Sequence, residues 1–337
     1  MIKDLIKRLL DKKNLTPLQM QQVMREILSG AVDTADIIAF LTSLNEKGET
    51  VAEITSAVNV MLKYVEPVIV DKPNILDTCG TGGDKKGTFN ISTISALVAS
   101  GAGVTVAKHG NRSVSSRCGS ADILEALGVK IDMDAAKIKK CLEEIGIAFL
   151  FAPKLHLAMR YVMPARKQIA QKTIFNILGP LINPARATNQ LIGVYSKQWV
   201  RPLAEVLHNL GSSHILVVYG ADGLDEITTT EKTFVTEVSG RVIKDYEITP
   251  EDFGFKRANI NDILGGSVDE NVEIANSILT GARGARRDIV LLNAGCAIYA
   301  ANKTDTIARG IKLAAESIDS GAAANKLKLL KEYSNNG

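Results

Sequence analysis

The sequence is short of several things at once. It carries four cysteines, one tryptophan and only 5% aromatic residues in 337. Cys79, Cys118, Cys141 and Cys296 make no CxxC pair and no Cys/His ligand spacing, which excludes a structural zinc cluster. Reduced thiols in a cytoplasm are the simple reading. Cys79 and Cys118 fall in polar stretches and are expected to be accessible, whereas Cys141 and Cys296 fall in apolar helical patterns. Neither sign of charge dominates: 40 basic and 37 acidic residues give +3, which leaves no nucleic-acid footprint but suits small anionic ligands. No apolar run is long enough to cross a bilayer, and the opening MIKDLIKRLLDKK alternates charged and apolar residues without a signal-peptide core. Repeats and low-complexity stretches are also missing. These absences predict a cytoplasmic globular protein with neither a membrane nor a nucleic acid as partner.

What the chain does have is core-forming material, 46% hydrophobic residues, and enough length for two domains. Residues 1–70 read as helices only. IKDLIKRLL has helical apolar spacing, and TPLQ at Thr16 and TVAE at Thr50 have the form of capping boxes. From residue 71 to 337 the pattern becomes α/β. Short apolar runs (NILDTCG, GVTVAKHGN, AFLFAP, QLIGVYS, HILVVYGADG) alternate with amphipathic segments such as SADILEALG, DAAKIKKCLEEIG and HLAMRYVMPARKQIA. That alternation predicts a mostly parallel central sheet with surrounding helices, beside a small N-terminal helical domain. Residues 231–248 read instead as an antiparallel hairpin with Ser-Gly at the turn.

The chemistry lies in the loops after the strands, where ligands of such sheets gather. DTCGTGGDKKGTFNIST, residues 77–93, has four glycines but neither the GK[ST] ending of a nucleotide loop nor dinucleotide spacing. Its glycines permit successive N–H groups to face an anion, and FNIST opens a helix whose free N–H groups add to that affinity. KHGNRSVSSRCGSADILEALG, residues 108–128, offers Lys108, Arg112 and a dense set of hydroxyls as a second anion-binding surface. In GADGLDEIT, Asp225 and Glu226 are adjacent hard-oxygen ligands of the kind Mg2+ takes at phosphate sites. MRYVMPARKQIAQKTIFNILGPLINP places Arg160, Arg166 and Lys167 beside a rigid GPLINP turn, and an arginine forks well around a carboxylate. Taken singly, each has an ordinary alternative: a glycine-rich turn, a solvated loop, a solvated acidic turn, an arginine paired with a neighbouring acid.

In combination, GTGGD, FNIST, KHGNRSVSSRCGSADILEALG, TIFNILGPLINP and DGLDEIT, in this order and behind a helical lobe, resemble the anthranilate phosphoribosyltransferases of tryptophan biosynthesis. The resemblance spans nearly the whole chain. It is most specific at KHGN and FNxLGPLxNP, and weaker in the hairpin and the C-terminal helices. It implies a homodimer joined through the helical lobe, an active site in the cleft between lobes, and phosphoribosyl pyrophosphate and anthranilate as substrates. Gly80, Gly83, Asp84, Thr88, Asn90, Ile91, Ser92 and Thr93 would line the phosphoribosyl pyrophosphate site. Lys108, His109, Gly110, Asn111, Arg112, Ser113, Val114, Ser115 and Ser116, with Ser120, would contact its phosphates. Two Mg2+ ions per monomer are expected, held by Ser92, Asp225 and Glu226, with Glu226 touching both. Asn111 and Arg166 would bind anthranilate, Arg166 at the carboxylate, with Gly80 close by and His109 beside the ring. No covalent nucleophile or strong general base is expected. The rivals are a pyrimidine nucleoside phosphorylase, which needs neither the carboxylate-binding arginine nor the acidic metal pair, and a nucleic-acid-binding relative of the same architecture.

Overall fold

The computed structural model describes residues 1–113 and 117–336. Val114, Ser115 and Ser116, named above as phosphate contacts, lie outside the described residues. The chain begins with helices α1 (Ile2–Leu10), α2 (Pro17–Leu28), α3 (Thr34–Lys47) and α4 (Val51–Met61). Both capping boxes form, Thr16 with Gln19 and Thr50 with Glu53. Glu53 also ties the lobe together. Its fully buried carboxylate accepts a bond from the Leu15 N–H at 2.8 Å and pairs with the Lys47 ammonium at 2.8 Å, joining α4 to the α1–α2 turn and the end of α3.

The α/β part runs β1 (Leu76–Asp77), α5 (Ile91–Gly101), β2 (Val106–Gly110), α6 (Ser120–Ala126), α7 (Ala135–Glu144) and β3 (Ile147–Phe151). Three short helices follow: α8 (Ala152–Leu155), α9 (Met163–Gln168) and α10 (Phe175–Leu178). Then come β4 (Asn189–Gly193), α11 (Val200–Asn209), β5 (His214–Gly220), β6 (Thr233–Ser239) and β7 (Val242–Ile248). The described chain closes with α12 (Val268–Leu279), α13 (Ala285–Ala300), α14 (Ile307–Asp319) and α15 (Ala322–Asn335). The strands make one sheet in the order β3-β2-β1-β4-β5-β6-β7, parallel through β5 and antiparallel from β5 to β7. The expected hairpin is β6–β7, but its turn is not Ser-Gly: Ser239 pairs with Val242 as the end of β6, and the two-residue turn is Gly240, at φ +57°, with Arg241.

Strands β4 and β5 are buried on both faces, and alternate side chains enter different cores. Leu191, Leu216 and Val218 join a core with α5 and α13, while Ile192, Ile215 and Val217 join the core of the N-terminal helices. That second core is completed by Ala165 of α9, Ile177 and Leu178 of α10, and Leu203 and Leu207 of α11.

Two local expectations change. HLAMRYVMPARKQIA is not one amphipathic helix: a 3-10 turn over Leu157–Tyr161 precedes α9, because Pro164 has no N–H to continue a ladder and fits only the first turn of a new helix. And KHG is not loop. It forms the last residues of β2, paired along its length with β3, so Lys108 and His109 are buried strand residues.

Candidate active site at the carboxyl ends of the strands

The loop leaving β1 turns through Gly82 and Gly83 at φ +65° and +84°, a conformation that side chains rarely adopt, and delivers the chain to α5. Its base is fixed to the neighbouring strand end. The Thr81 N–H donates to the Gly193 carbonyl at 2.9 Å, and the Tyr195 N–H donates to Thr81 Oγ1 at 3.0 Å. Gly80 lies so close to β4 that an added Cβ would stand 3.0 Å from the Gly193 carbonyl oxygen. Gly193 in turn abuts the third loop, where a Cβ would overlap the Asp225 carbonyl. Backbones of three loops thus meet where two glycines remove the side chains between them.

The far end of the first loop is anchored too. Thr88 bridges Leu264, and the Asn90 N–H donates to Asn271 Oδ1 at 3.1 Å. The Asn90 side chain reaches across to the second loop, donating from Nδ2 to the Cys118 carbonyl at 3.1 Å. Ile91 and Thr93 are buried in the first turn of α5, leaving Ser92 between them partly exposed.

Strand alternation divides KHG between two faces. On one face the Lys108 ammonium lies 3.3 Å from the Thr78 carbonyl, Thr78 Oγ1 and Ser92 Oγ. On the other, His109 Nε2 lies 3.0 Å from His156 Nε2, the rings tilted by 51°. Burial pushes His109 down to about 3, helped by the neighbouring His156, and pushes His156 down to about 4. Both imidazoles are neutral at ordinary pH. The backbone between them is pinned by buried Asp77, which accepts from the His109 N–H at 3.1 Å and from Asn183 Nδ2 at 2.7 Å. Burial nevertheless raises Asp77 to about 6, against the opposing pull of those donors and of Lys108.

Asp225 and Glu226 are met by a third acid, Asp84 from the first loop. Burial, the Asp84 carboxylate and Glu226 together hold Asp225 well above the usual carboxylate range. Burial chiefly, with Asp84, raises Glu226 to about 8, although Lys108 and donors from Ser92 favour its charged form. Asp84 Oδ2 is buried without a hydrogen-bond partner. Three mutually repelling carboxyl groups with an orphaned oxygen form a site short of positive charge, which suits a hard divalent cation. Residues behind them hold the loop in place. Asp222 accepts from Thr228 Oγ1 at 2.6 Å and from the Leu224 N–H at 3.1 Å. Buried Asn293 of α13 clamps Ile227, accepting from its N–H at 3.0 Å and donating to its carbonyl at 2.7 Å.

The rest of the second loop is arranged differently from what its composition implies. Arg112 is committed to α6, with Nη1 3.0 Å from Asp122 and 2.8 Å from Glu125. Asp122 also accepts from the N–H groups of Ser113 and Gly119 at 3.0 and 2.9 Å, making the cap of α6 that precedes Ser120. Exposed Asn111 accepts the Arg112 N–H at 2.7 Å through its own side chain, and Gly110 leaves room for the Phe149 ring. Cys118 is buried rather than accessible, and burial raises its thiol to about 11; Cys79 is half-buried with its thiol raised further. Neither is an activated nucleophile.

Arg166 stands on α9 with its guanidinium 5.8 Å from the Phe175 ring, and no carboxylate pairs with it among the described residues. Burial lowers its pKa, the mark of a cation partly withdrawn from water. Its segment reaches the first loop through Lys172, whose ammonium donates to the Gly83 carbonyl at 3.2 Å. Sequence reasoning missed His156, Lys172, Gly193 and Asn293. Only the glycine ending QLIG carried a local signal, and nothing in the linear pattern said what would fill the space it leaves.

Residues 3–65 match the "Glycosyl transferase family, helical bundle domain" and residues 72–324 the "Glycosyl transferase family, a/b domain". The chain is 49% identical to the anthranilate phosphoribosyltransferase of Methanobrevibacter smithii, over 99% of this chain and 100% of that one. It superposes on the crystal structure of the Thermus thermophilus enzyme with TM-score 0.93 and 40% identity, covering 98% and 99% of the two chains. The Saccharomyces cerevisiae enzyme, solved in complex with PRPP and Mg, matches with TM-score 0.90 and 28% identity over 99% and 97%. The same yeast enzyme in complex with 4-fluoroanthranilate gives TM-score 0.89 at 28% identity over 99% and 97%. With its three strand-end loops meeting as described, this chain belongs to the anthranilate phosphoribosyltransferase family.

Proposed function

We propose that this chain transfers the phosphoribosyl group of phosphoribosyl pyrophosphate to the amine of anthranilate, giving N-(5-phosphoribosyl)anthranilate and pyrophosphate on the route to L-tryptophan. One observation carries the reading: the glycine loop, Lys108 and the Asp84–Asp225–Glu226 cluster converge around one space. The cleft lies between the helical domain, residues 1–70, and the α/β domain, residues 71–337.

The residue roles follow from this geometry. The N–H groups of Gly80, Gly82 and Gly83 face the diphosphate and the dipole of α5 adds to its hold, with Thr88, Asn90 and Thr93 shaping the pocket. Lys108 offers its ammonium to the leaving pyrophosphate. Asp84, Asp225, Glu226 and the Ser92 hydroxyl are the groups that would hold Mg2+, two ions per monomer with Glu226 common to both. Bound there, the metal supplies positive charge against the charge that develops on pyrophosphate. Arg166 forks around the anthranilate carboxylate, and Asn111 with the neutral His109 borders the ring.

Anthranilate's neutral amine attacks C1 of the ribose as the bond to pyrophosphate breaks, through an oxocarbenium-like transition state. An arylamine needs no deprotonation before attack, so the site works by placing reactants and by stabilising leaving-group charge. The neutrality of His109 and His156 fits this, since neither is the imidazolium that a general acid would need at working pH.

The assembly is a homodimer formed through the N-terminal helices, in keeping with Leu10 and Leu18 being 58% and 76% exposed there. The enzyme works in the cytoplasm; no helix among the described residues is long and apolar enough to cross a membrane. The test is direct: incubate the protein with phosphoribosyl pyrophosphate, anthranilate and Mg2+, and follow anthranilate fluorescence. Loss that requires all three supports the reading. Cleavage of thymidine by phosphate without loss of anthranilate would replace it with the nucleoside phosphorylase.

A further inference from the structure

The first loop has an intrinsic weakness. Gly82 and Gly83 are consecutive glycines at positive φ, and such residues reorient easily because no Cβ restrains them. The diphosphate reading needs the opposite, a set of amides fixed in direction before the ligand arrives. Hydrogen bonds within the loop stop on either side of Gly83: the Thr81 hydroxyl donates to the Gly82 carbonyl at 3.2 Å and the Lys86 N–H to Asp84 Oδ1 at 3.1 Å. What holds the Gly83 carbonyl comes from outside. The Lys172 ammonium donates to the Gly83 carbonyl at 3.2 Å and rests 3.1 Å from the centroid of the Tyr195 ring. Tyr195 is itself located twice, by its N–H on Thr81 Oγ1 at 3.0 Å and by its hydroxyl, which accepts from Trp199 Nε1 at 3.0 Å. Trp199 belongs to the core of the helical lobe.

We propose that Lys172 is a positioning residue for the reaction: clamped between Gly83 and the Tyr195 ring, it fixes the direction of the Gly83–Asp84 peptide and so presets the diphosphate loop. In a trans peptide the carbonyl and the following N–H point opposite ways. Locking the Gly83 carbonyl onto Lys172 therefore aims the Asp84 N–H away from Lys172 and fixes the start of Asp84, whose carboxylate meets Asp225. A flipped peptide would put a carbonyl where an anion expects a donor. The clamp also spans two segments: Lys172 immediately precedes the TIFN stretch, on the chain that carries Arg166 six residues earlier. Cation–π contact and partial burial make this hold stronger than a solvated lysine could supply.

The inference rests on the diphosphate reading, so wild-type turnover is the control for that reading and the variants test the clamp. Lys172→Met keeps the aliphatic stem and removes the donor. It is expected to raise the KM for phosphoribosyl pyrophosphate about tenfold, the cost of one charge-assisted hydrogen bond. The KM for anthranilate and the melting temperature without ligand stay at wild-type values. Lys172→Arg, which can both donate and stack, recovers most of the affinity. Tyr195→Leu weakens the same constant in the same direction, and Tyr195→Phe, which keeps the ring but loses the Trp199 anchor, weakens it less. An unaltered phosphoribosyl pyrophosphate KM in Lys172→Met would overturn the proposal, as would an equal rise in both KM values with a lowered melting temperature. An inactive wild type would sink the parent reading instead.

Discussion

The two halves of the candidate site are built by different means. The half proposed to hold the diphosphate consists of backbone and short side chains. Its glycines turn the chain, its strand ends touch through Gly80 and Gly193, and its three carboxyl groups crowd together because the backbone delivers them there. The proposed anthranilate half consists of long side chains on separate elements, with His109 on β2 and His156 after α8 buried against each other, and Arg166 on α9 beside Phe175 of the helical lobe's core. Strand β2 serves both, Lys108 facing one half and His109 the other. The difference teaches where tolerance should lie: a backbone-built pocket fails when a Cβ or a charge is changed, whereas a side-chain pocket loses one contact at a time.

The harshest way to probe that contrast is to remove the acidic pair. Asp225→Asn with Glu226→Gln is expected to lower kcat/KM by about 10³-fold or more, since several transition-state contacts go together. The ligand-free melting temperature does not fall, because the crowded charges are removed from a buried site. Near-normal turnover at limiting Mg2+ would break the comparison. Gly193→Ala comes next. The new methyl group must displace the Asp225 carbonyl, and an active-site shift of that order costs about 10²-fold in kcat/KM. Steady-state kinetics with unchanged values would show that the strand ends need not touch.

Arg166→Gln sharpens the other side. Losing a hydrogen-bonded charge partner is worth about 1.5–3 kcal/mol, so the anthranilate KM should rise about 10- to 100-fold while that for phosphoribosyl pyrophosphate holds. Equal changes in both constants would mean that the halves are not separable. The smallest effect concerns the histidine pair. Because the folded protein holds His156 near 4, below the ordinary 6.5, its contribution is present above pH 6.5 and is lost as the pH falls from there toward 4. The stability advantage of wild type over His156→Gln should therefore shrink by about 1 kcal/mol per pH unit between 6.5 and 5, measured by urea unfolding. A difference that is flat with pH contradicts the buried neutral imidazole. Taking the difference between the two proteins cancels Asp77, which works in the opposite sense: raised to about 6, it adds stability below its ordinary 3.8 that is lost as the pH rises through 6.

The same contrast explains what the sequence disclosed. The capping boxes at Thr16 and Thr50, the β6–β7 hairpin and the glycine loop are local, each written within a few consecutive residues, and each formed where expected. Asp225 and Glu226 were legible because they are adjacent. Their third partner, Asp84, was legible as a loop residue but not as part of the acidic cluster, since that meeting depends on β1 and β5 flanking β4. Lys108 looked like loop because lysine is rare in a buried strand. The oxygens of Thr78 and Ser92 and the nearby Asp77 and Glu226 carboxyl groups, all supplied by other elements, make its burial tolerable. The ion pairs of Arg112 were not legible, because its acidic partners lie 10 and 13 residues away on a helix that turns back toward it. His156 and Lys172 had no local signature, as their partners are 47 and 89 residues distant.

The convergence of the glycine loop, Lys108 and the acidic cluster on a single ligand is tested most directly by a crystal structure with phosphoribosyl pyrophosphate and Mg2+ bound. The diphosphate should lie against the amides of Gly80, Gly82 and Gly83 and the Lys108 ammonium, with density for Mg2+ between it and Glu226. A diphosphate bound elsewhere, or one that leaves Lys108 and Glu226 in separate cavities, would contradict the account.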